Sequence, residues 1–456
     1  MRLLLPLLLL LAVSAFAADP KPNIVLVLID DLGQTDLGCY GSKFYETPNV
    51  DQLVRDGMRF TNAYSGCTVC SPTRAALLTG RSPAALHLTD FIAGYKMPFA
   101  KLKMPDWLME LPADQPTIAS ELHRAGYVSA HFGKWHLGTA PATAHGFDST
   151  LADNGKGQPA SYFPPYKNEH LTDGPPEEHL SDRLTTEAIK FIEQNKEKPF
   201  FVYLAHYAVH NPIAGKPEVI AKYKAKAHPA APQHNPTYAA LVESTDDSVG
   251  RLRAKLDELH LSDHTIFIYT SDNGGLIPNT TNLNLRAGKG SAYEGGVRVP
   301  LIVSWPGMTK PGSETAVPAI SYDMLPTLLE AAGVPPSGAV EGKSLLPVLK
   351  GGQLPERAIF WHYPHYHPGG ATPYSAVREG DWKLIQFFED MHTELYHLTA
   401  DPLEAHDLAA TEPARAAGLL AKLDAWRKEI GAQFPTPNPN YDPAKNGPAA
   451  VKKKEP

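Results

Sequence analysis

The chain has 456 residues, 43% of them hydrophobic, and a formal net charge of −7. That length exceeds what one hydrophobic core usually serves, so one large domain and a smaller one are expected. The mildly acidic balance argues against nucleic acid or an anionic membrane as the main partner, though a few local cations can still hold an anionic substrate in a cleft. Three cysteines are too few for a disulfide scaffold.

Residues 1–17 read as a secretory signal peptide, with Arg2 as the positive end, Leu3 to Val13 as the apolar stretch and Ala15-Phe16-Ala17 as the cleavage site. The apolar stretch is too short to span a bilayer, no cysteine follows the cleavage site to carry a lipid, and no later segment reaches transmembrane length. The expectation is an exported protein, periplasmic or secreted, with no stable membrane insertion.

Asn23 to Ile29 is a continuous β-branched and apolar run, the pattern of a strand buried on both faces. Thr47 to Gly57 reads as a capped helix, and Arg59 to Ala63 as a short strand. Then comes Cys70-Ser71-Pro72-Thr73-Arg74, opening the apolar segment Ala75 to Thr79 that stops at Gly80. Ser71 suits the N-cap and Pro72 the first helical position. Cys70 would then sit just ahead of a helix N-terminus, where free N–H groups favour an anion, with Arg74 one turn in. Helical patterns follow at Thr117–Ala125, Asp182–Gln194, Pro236–His260 and Tyr322–Ala332. Strand patterns follow at Val128–Phe132, Phe200–Ala205, Thr265–Thr270 and Leu301–Ser304. This alternation predicts an α/β fold, a large, mostly parallel sheet sandwiched by helices.

Beyond Gly351 the pattern changes to short strands at Ala358–His362, Tyr374–Arg378, Trp382–Phe388 and Glu394–Leu398, then an amphipathic helix at Pro413–Ile430. The expected organisation is a catalytic α/β domain over 18–350 and a C-terminal antiparallel sheet plus helix over 351–432. The Pro/Asn/Lys-rich tail over 433–456 is expected to be disordered.

Polar groups gather where strands of an open α/β sheet end. Asp30-Asp31 follows the first strand and Asp272-Asn273 follows Thr265–Thr270. Three carboxylates and an amide suit a hard divalent cation, Ca2+ before Mg2+. Lys134 and His136 end another strand, and His210 a third. Lys289 lies in the glycine-rich loop Gly288 to Arg298. Each motif alone is compatible with an ordinary turn; five strand-end clusters able to bind or transfer an anion are not. Cys39 and Cys67 remain as a candidate disulfide pair if Cys70 is consumed by chemistry. Cys67-Thr68-Val69-Cys70 is the rival redox spacing.

The chain resembles the formylglycine-dependent sulfatases of the alkaline-phosphatase superfamily over roughly Lys21 to Leu408. Cys70-Ser71-Pro72-Thr73-Arg74, followed by Ala75-Ala76-Leu77-Leu78-Thr79-Gly80-Arg81, matches that family's signature. The segments at Asp30, Lys134, Asp272 and Lys289 match its other blocks in order. The resemblance implies that a formylglycine-generating enzyme oxidises Cys70 and that the aldehyde hydrate is the nucleophile. It implies a metal held by Asp30, Asp31, Cys70 (as formylglycine), Asp272 and Asn273. Arg74 and Lys134 would stabilise the hydrate, His136 would help break down the sulfated intermediate, and His210 and Lys289 would bind sulfate, with His210 donating a proton to the leaving alcohol.

The implied substrate is a sulfated carbohydrate. Asp90 (in Thr89-Asp90-Phe91) and His362 and His365 (in Trp361 to His367) are the candidate substrate contacts, since aromatic and histidine-rich loops suit sugar stacking. The alternatives are a phosphonate or phosphodiester hydrolase of the same superfamily, and a catalytically silent protein that binds sulfated glycans.

Overall fold

The computed structural model describes residues 21–228 and 230–445; the leader expected over 1–17 lies outside the described residues. At its centre is an eight-stranded sheet in the spatial order Ser313–Thr315, Met58–Phe60, Leu301–Ser304, Thr265–Ser271, Asn23–Ile29, Phe200–Ala205, Val128–Gly133, Ser149–Leu151. Asn23–Ile29 pairs in parallel with both neighbours, Ile24 standing beside Phe201 on one side and Ile266 on the other. Leu301–Ser304 alone in this sheet runs against both of its neighbours.

The continuous apolar run of the first strand is explained by its two covered faces. Ile24, Leu26 and Leu28 pack into a core with helices Cys70–Thr79, Ile118–Arg124 and Met324–Ala331. Val25, Val27 and Ile29 pack on the other side with Pro48–Asp56, Leu180–Asn195 and Pro236–Glu258. Burying six aliphatic side chains contributes roughly 10 kcal/mol of transfer free energy, which fixes the strand whose end carries Asp30 and Asp31. Among the described residues, no helix is long and apolar enough to cross a membrane.

The C-terminal part is a four-stranded antiparallel meander, Ala358–Tyr363, Tyr374–Glu379, Trp382–Phe387 and Thr393–His397. One face takes the helix Pro413–Glu429 through Leu419 and Leu423 against Val377, Leu384 and Leu395. The other face presses Ile359, Trp361, Tyr363 and Tyr374 onto Tyr64, Cys67, Val69 and Ala76, which flank Cys70 on both sides. Trp361 Nε1 donates to the Ser65 carbonyl at 2.8 Å. In the same joint, Lys383 is buried between Glu294 and Glu404, at 2.9 and 3.0 Å.

Four expectations change. The run Arg59 to Ala63 splits into Met58–Phe60, in the large sheet, and Ala63–Tyr64, which pairs with Ala319–Ile320. Of the tail expected to be disordered over 433–456, residues 446–456 lie outside the described residues, while Phe434 to 445 is held in place: Thr436–Pro437 pairs with Leu102–Lys103, and Asn438 Nδ2 donates to the carbonyls of Pro98 and Ala100. Three anchored amide contacts and the Phe434 ring against His362 and Phe388 outweigh its polar composition. All three cysteines are free thiols, so neither the Cys39–Cys67 pair nor a Cys67–Cys70 disulfide forms. Finally, Cys70 is the first helical residue and Val69 the cap. The Ser71 hydroxyl is taken by the Ile92 N–H (3.1 Å), and Thr73 Oγ1 instead folds back to accept from Cys67 N (3.0 Å). Pro72 still lies within the first turn, where no N–H is needed.

Candidate active site

Four parallel strands deliver the site. Asn23–Ile29 ends in Asp30 and Asp31, Thr265–Ser271 in Asp272 and Asn273, Val128–Gly133 in Lys134 and His136, and Phe200–Ala205 in the loop to His210. The sequence-expected groups Cys70, Arg74, Lys134, His136, His210 and Lys289 all come together here with the four metal candidates. Asp31 and His136 have φ of 65° and 55°, left-handed conformations that side-chain-bearing residues adopt at a cost and that cluster where chemistry needs them.

The charges are closely matched. Arg74 Nη2 donates to Asp272 Oδ2 at 2.7 Å and lies 3.7 Å from Asp30 Oδ1, while its Nη1 donates to the Lys134 carbonyl at 2.8 Å. Lys134 Nζ donates to Asp30 Oδ2 at 2.6 Å, and Lys289 Nζ lies 2.7 Å from Asp31 Oδ1. Against the penalty of burial, Lys289 and His210 hold the Asp31 carboxyl below its usual range, and Arg74 and Lys134 do the same for Asp272. Burial and the adjacent Asp272 push Asp30 well up instead. Three carboxylates thus face three cations, but the pairing does not satisfy every oxygen.

Three oxygens are left over. Asp30 Oδ1, Asp31 Oδ2 and Asn273 Oδ1 are buried without a hydrogen-bond partner. Ligand atoms of Asp30, Asp31 and His210 lie within 4.8 Å of one another, as do those of Asp30, Cys70 and Asp272. Buried polar oxygens are rarely left unpaired, and hard oxygen donors gathered this way fit a divalent cation. Asn273 is oriented for it, because its Nδ2 donates to Asp31 Oδ1 at 2.8 Å and turns Oδ1 inward.

The histidines are set by their backbone partners. His136 Nε2 donates to the Ile92 carbonyl at 2.6 Å, leaving a buried, unpartnered Nδ1 with a lone pair. Burial, reinforced by Lys134, keeps His136 neutral, well below its ordinary pKa. His210 Nδ1 donates to the Asn211 carbonyl at 2.7 Å, and its Nε2 lies 3.7 Å from Asp31 Oδ2. The loop over 155–160 lies directly on His136: a Cβ at Gly157 would stand 2.4 Å from its Cε1.

Cys70, His136, His210 and Lys289 line a cavity of about 610 Å3. Asp90, His362 and His365, expected to touch substrate, do not line it. Asp90 Oδ1 accepts from Tyr363 Oη and Phe91 N at 2.8 and 2.9 Å, anchoring the loop whose Ile92 holds His136. His365 is buried against Thr89 at 2.8 Å. His362 spends both nitrogens, on Ser375 (2.6 Å) and on the Gln433 carbonyl (2.7 Å). In their place Phe91, Lys156, Gln158, Leu276 and His367 reach the cavity. Lys156 and Gln158 sit in a loop with no motif to mark them. Phe91 and His367 fall within the two segments singled out in the sequence, Thr89-Asp90-Phe91 and Trp361 to His367.

Residues 22–334 match the Sulfatase family. The chain belongs to that family. Residues 288–428 match the family described as N-sulphoglucosamine sulphohydrolase, C-terminal. Human arylsulfatase A is 34% identical over 89% of this chain and 83% of its own length. Human N-acetylgalactosamine-6-sulfatase is 34% identical over 76% of this chain and 70% of its own. The crystal structure of Ps i-CgsB in complex with k-i-k-neocarrahexaose superposes with a TM-score of 0.76 at 29% identity, covering 92% of this chain and 94% of that one. The enzyme is a sulfuric ester hydrolase with an alkaline-phosphatase-like α/β fold.

Proposed function

We propose that the enzyme is exported and hydrolyses sulfate monoesters of a carbohydrate, using a nucleophile made from Cys70 by oxidation to formylglycine in a maturing cell. The observation that carries this reading is the set of three orphaned, buried oxygens beside Cys70, ringed by Arg74, Lys134 and Lys289. Asp30, Asp31, Asp272 and Asn273 would hold Ca2+, with Mg2+ as the second choice. Bound there, the ion would polarise a sulfate oxygen and satisfy the orphaned oxygens. The names of relatives support a sugar substrate: N-acetylgalactosamine-6-sulfatase, and a neighbour solved with k-i-k-neocarrahexaose.

The chain's own groups divide the remaining work. Arg74, fixed by Asp272 and the Lys134 carbonyl, presents a rigid cation beside Cys70. Lys289 and His210 face the sulfate side of Asp31. His136 offers the lone pair of Nδ1, so it can take a proton from a hydroxyl on residue 70, the step that expels sulfate. His210 has its Nδ1–H committed to Asn211, so Nε2 faces the site with a lone pair, and burial keeps the ring neutral; it could protonate the leaving alcohol only after first taking up a proton at Nε2.

The test is turnover of 4-nitrophenyl sulfate, an aryl phosphodiester and a panel of sulfated sugars, by protein made with its maturing partner. Sulfate esters should be preferred. Cys70→Ala should lose at least about a thousand-fold in rate while keeping the far-UV spectrum and unfolding midpoint. Preference for the diester, or undiminished turnover by Cys70→Ala, would refute the reading.

A further inference from the structure

The Cys70 cavity receives two residues from the C-terminal sheet, His367 and Pro368. His367 sits at the tip of the hairpin between Ala358–Tyr363 and Tyr374–Glu379. Its backbone N–H donates to the Ala371 carbonyl at 3.0 Å, and its carbonyl accepts from Gly370 N at 2.9 Å, so the tip is closed around it. The residue is 7% exposed. The Phe91 ring meets it edge-on at 6.2 Å. On the Nδ1 side it lies on the backbone of Gly290, the residue after Lys289, where a Cβ would stand 2.0 Å from Nδ1. Only glycine leaves room for the ring there.

These contacts settle which nitrogen carries the proton. The Gly369 N–H donates to His367 Nδ1 at 3.0 Å, so Nδ1 is the acceptor and a neutral ring carries its hydrogen on Nε2. Nε2 has no partner among the described residues. This is the opposite tautomer from His210, whose Nδ1 is the donor. Burial, reinforced by Lys289, brings His367 down to about 4, so the ring is a neutral donor at ordinary pH.

We propose that His367 is a specificity-determining residue, whose Nε2–H donates a hydrogen bond to an uncharged oxygen, a hydroxyl or ring oxygen, on the alcohol half of the ester. This rests on the sulfate-ester reading of the same cavity. A neutral N–H beside Lys289 suits a sugar oxygen rather than a second anion, and a plain phenol offers no such oxygen.

The test compares kcat/KM of wild type, His367→Ala, His367→Phe and His367→Gln on 4-nitrophenyl sulfate and on the sulfated monosaccharide that wild type hydrolyses fastest. Phe keeps the ring packing without the donor, and Gln restores an N–H at similar reach. The Ala and Phe variants should lose about ten-fold on the sugar, the worth of one hydrogen bond, mainly in KM. They should stay within about three-fold on the aryl ester, with Gln recovering much of the sugar rate and the pH profile unmoved. Equal losses on both substrates, or no loss on the sugar with Phe, would overturn the assignment. Wild type turning over no sulfate ester at all would overturn the underlying reading instead.

Discussion

Two clusters of buried charge flank the segment that carries Cys70. In the joint with the C-terminal sheet, Lys383 stands between Glu294 and Glu404, Glu294 Oε2 accepts from Tyr64 Oη at 2.7 Å, and Glu404 Oε2 accepts from Glu294 N at 2.7 Å. At the strand ends, Asp30, Asp31 and Asp272 face Arg74, Lys134 and Lys289, and three oxygens there find nothing to bind. The carboxylates of both clusters are buried. In the first, Lys383, a backbone N–H and a phenol serve the two carboxylates, Glu404 Oε1 alone having only the ion pair to Lys383 at 3.0 Å, and the cluster clamps two sheets together. In the second, the leftover oxygens leave room for an ion and an anionic substrate. Several unsatisfied buried oxygens gathered at one point mark the place of chemistry better than buried charge does.

Three perturbations sharpen that contrast. The largest effect is expected at the joint. Lys383→Met strands two buried carboxylates and should cost about 3–5 kcal/mol of stability, read from urea unfolding; a loss within about 0.5 kcal/mol would mean the joint is not held by this lysine.

Next, Ca2+ added to the chelated protein at about a hundred-fold above its Kd should stabilise it by about 2.7 kcal/mol, seen as a raised unfolding midpoint. Asn273→Ala should blunt that response by deleting one of the orphaned oxygens. An unmoved wild-type midpoint would contradict a cation site at the strand ends.

The smallest effect concerns pH. Burial, opposed by Lys383 and reinforced by Glu294, pushes Glu404 up to about 7. A carboxyl raised on folding keeps its proton longer in the native state, so the joint should lose stability as pH rises from about 4.5 to 7 and carry the full cost above that. Glu404→Gln should flatten this slope and gain on the order of 1–2 kcal/mol at pH 8; an unchanged slope would place the titration elsewhere.

The sheet and its strand-end motifs were legible because burial on two faces demands an unbroken apolar run, and the turn after it must be polar. Asp30, Asp31, Asp272, Asn273, Lys134, His136, His210 and Lys289 therefore fell at marked positions, and the family resemblance tied them to Cys70. The Ser71 cap was misread because its hydroxyl is drawn to Ile92, over twenty residues away in sequence and invisible to local rules. His362 and His365 read as sugar contacts by composition alone. Whether a histidine faces a ligand depends on where the fold puts its ring: His362 spends both nitrogens on Ser375 and Gln433, and His365, tied to Thr89 through Nε2, lies off the cavity. His367, two residues further on, lines the cavity with Nε2 free.

The measurement that tests the account most directly is mass spectrometry of the tryptic peptide Phe60–Arg74 from protein made in its source organism. The account predicts an aldehyde or its hydrate at Cys70. An intact thiol at that position in active protein would contradict it.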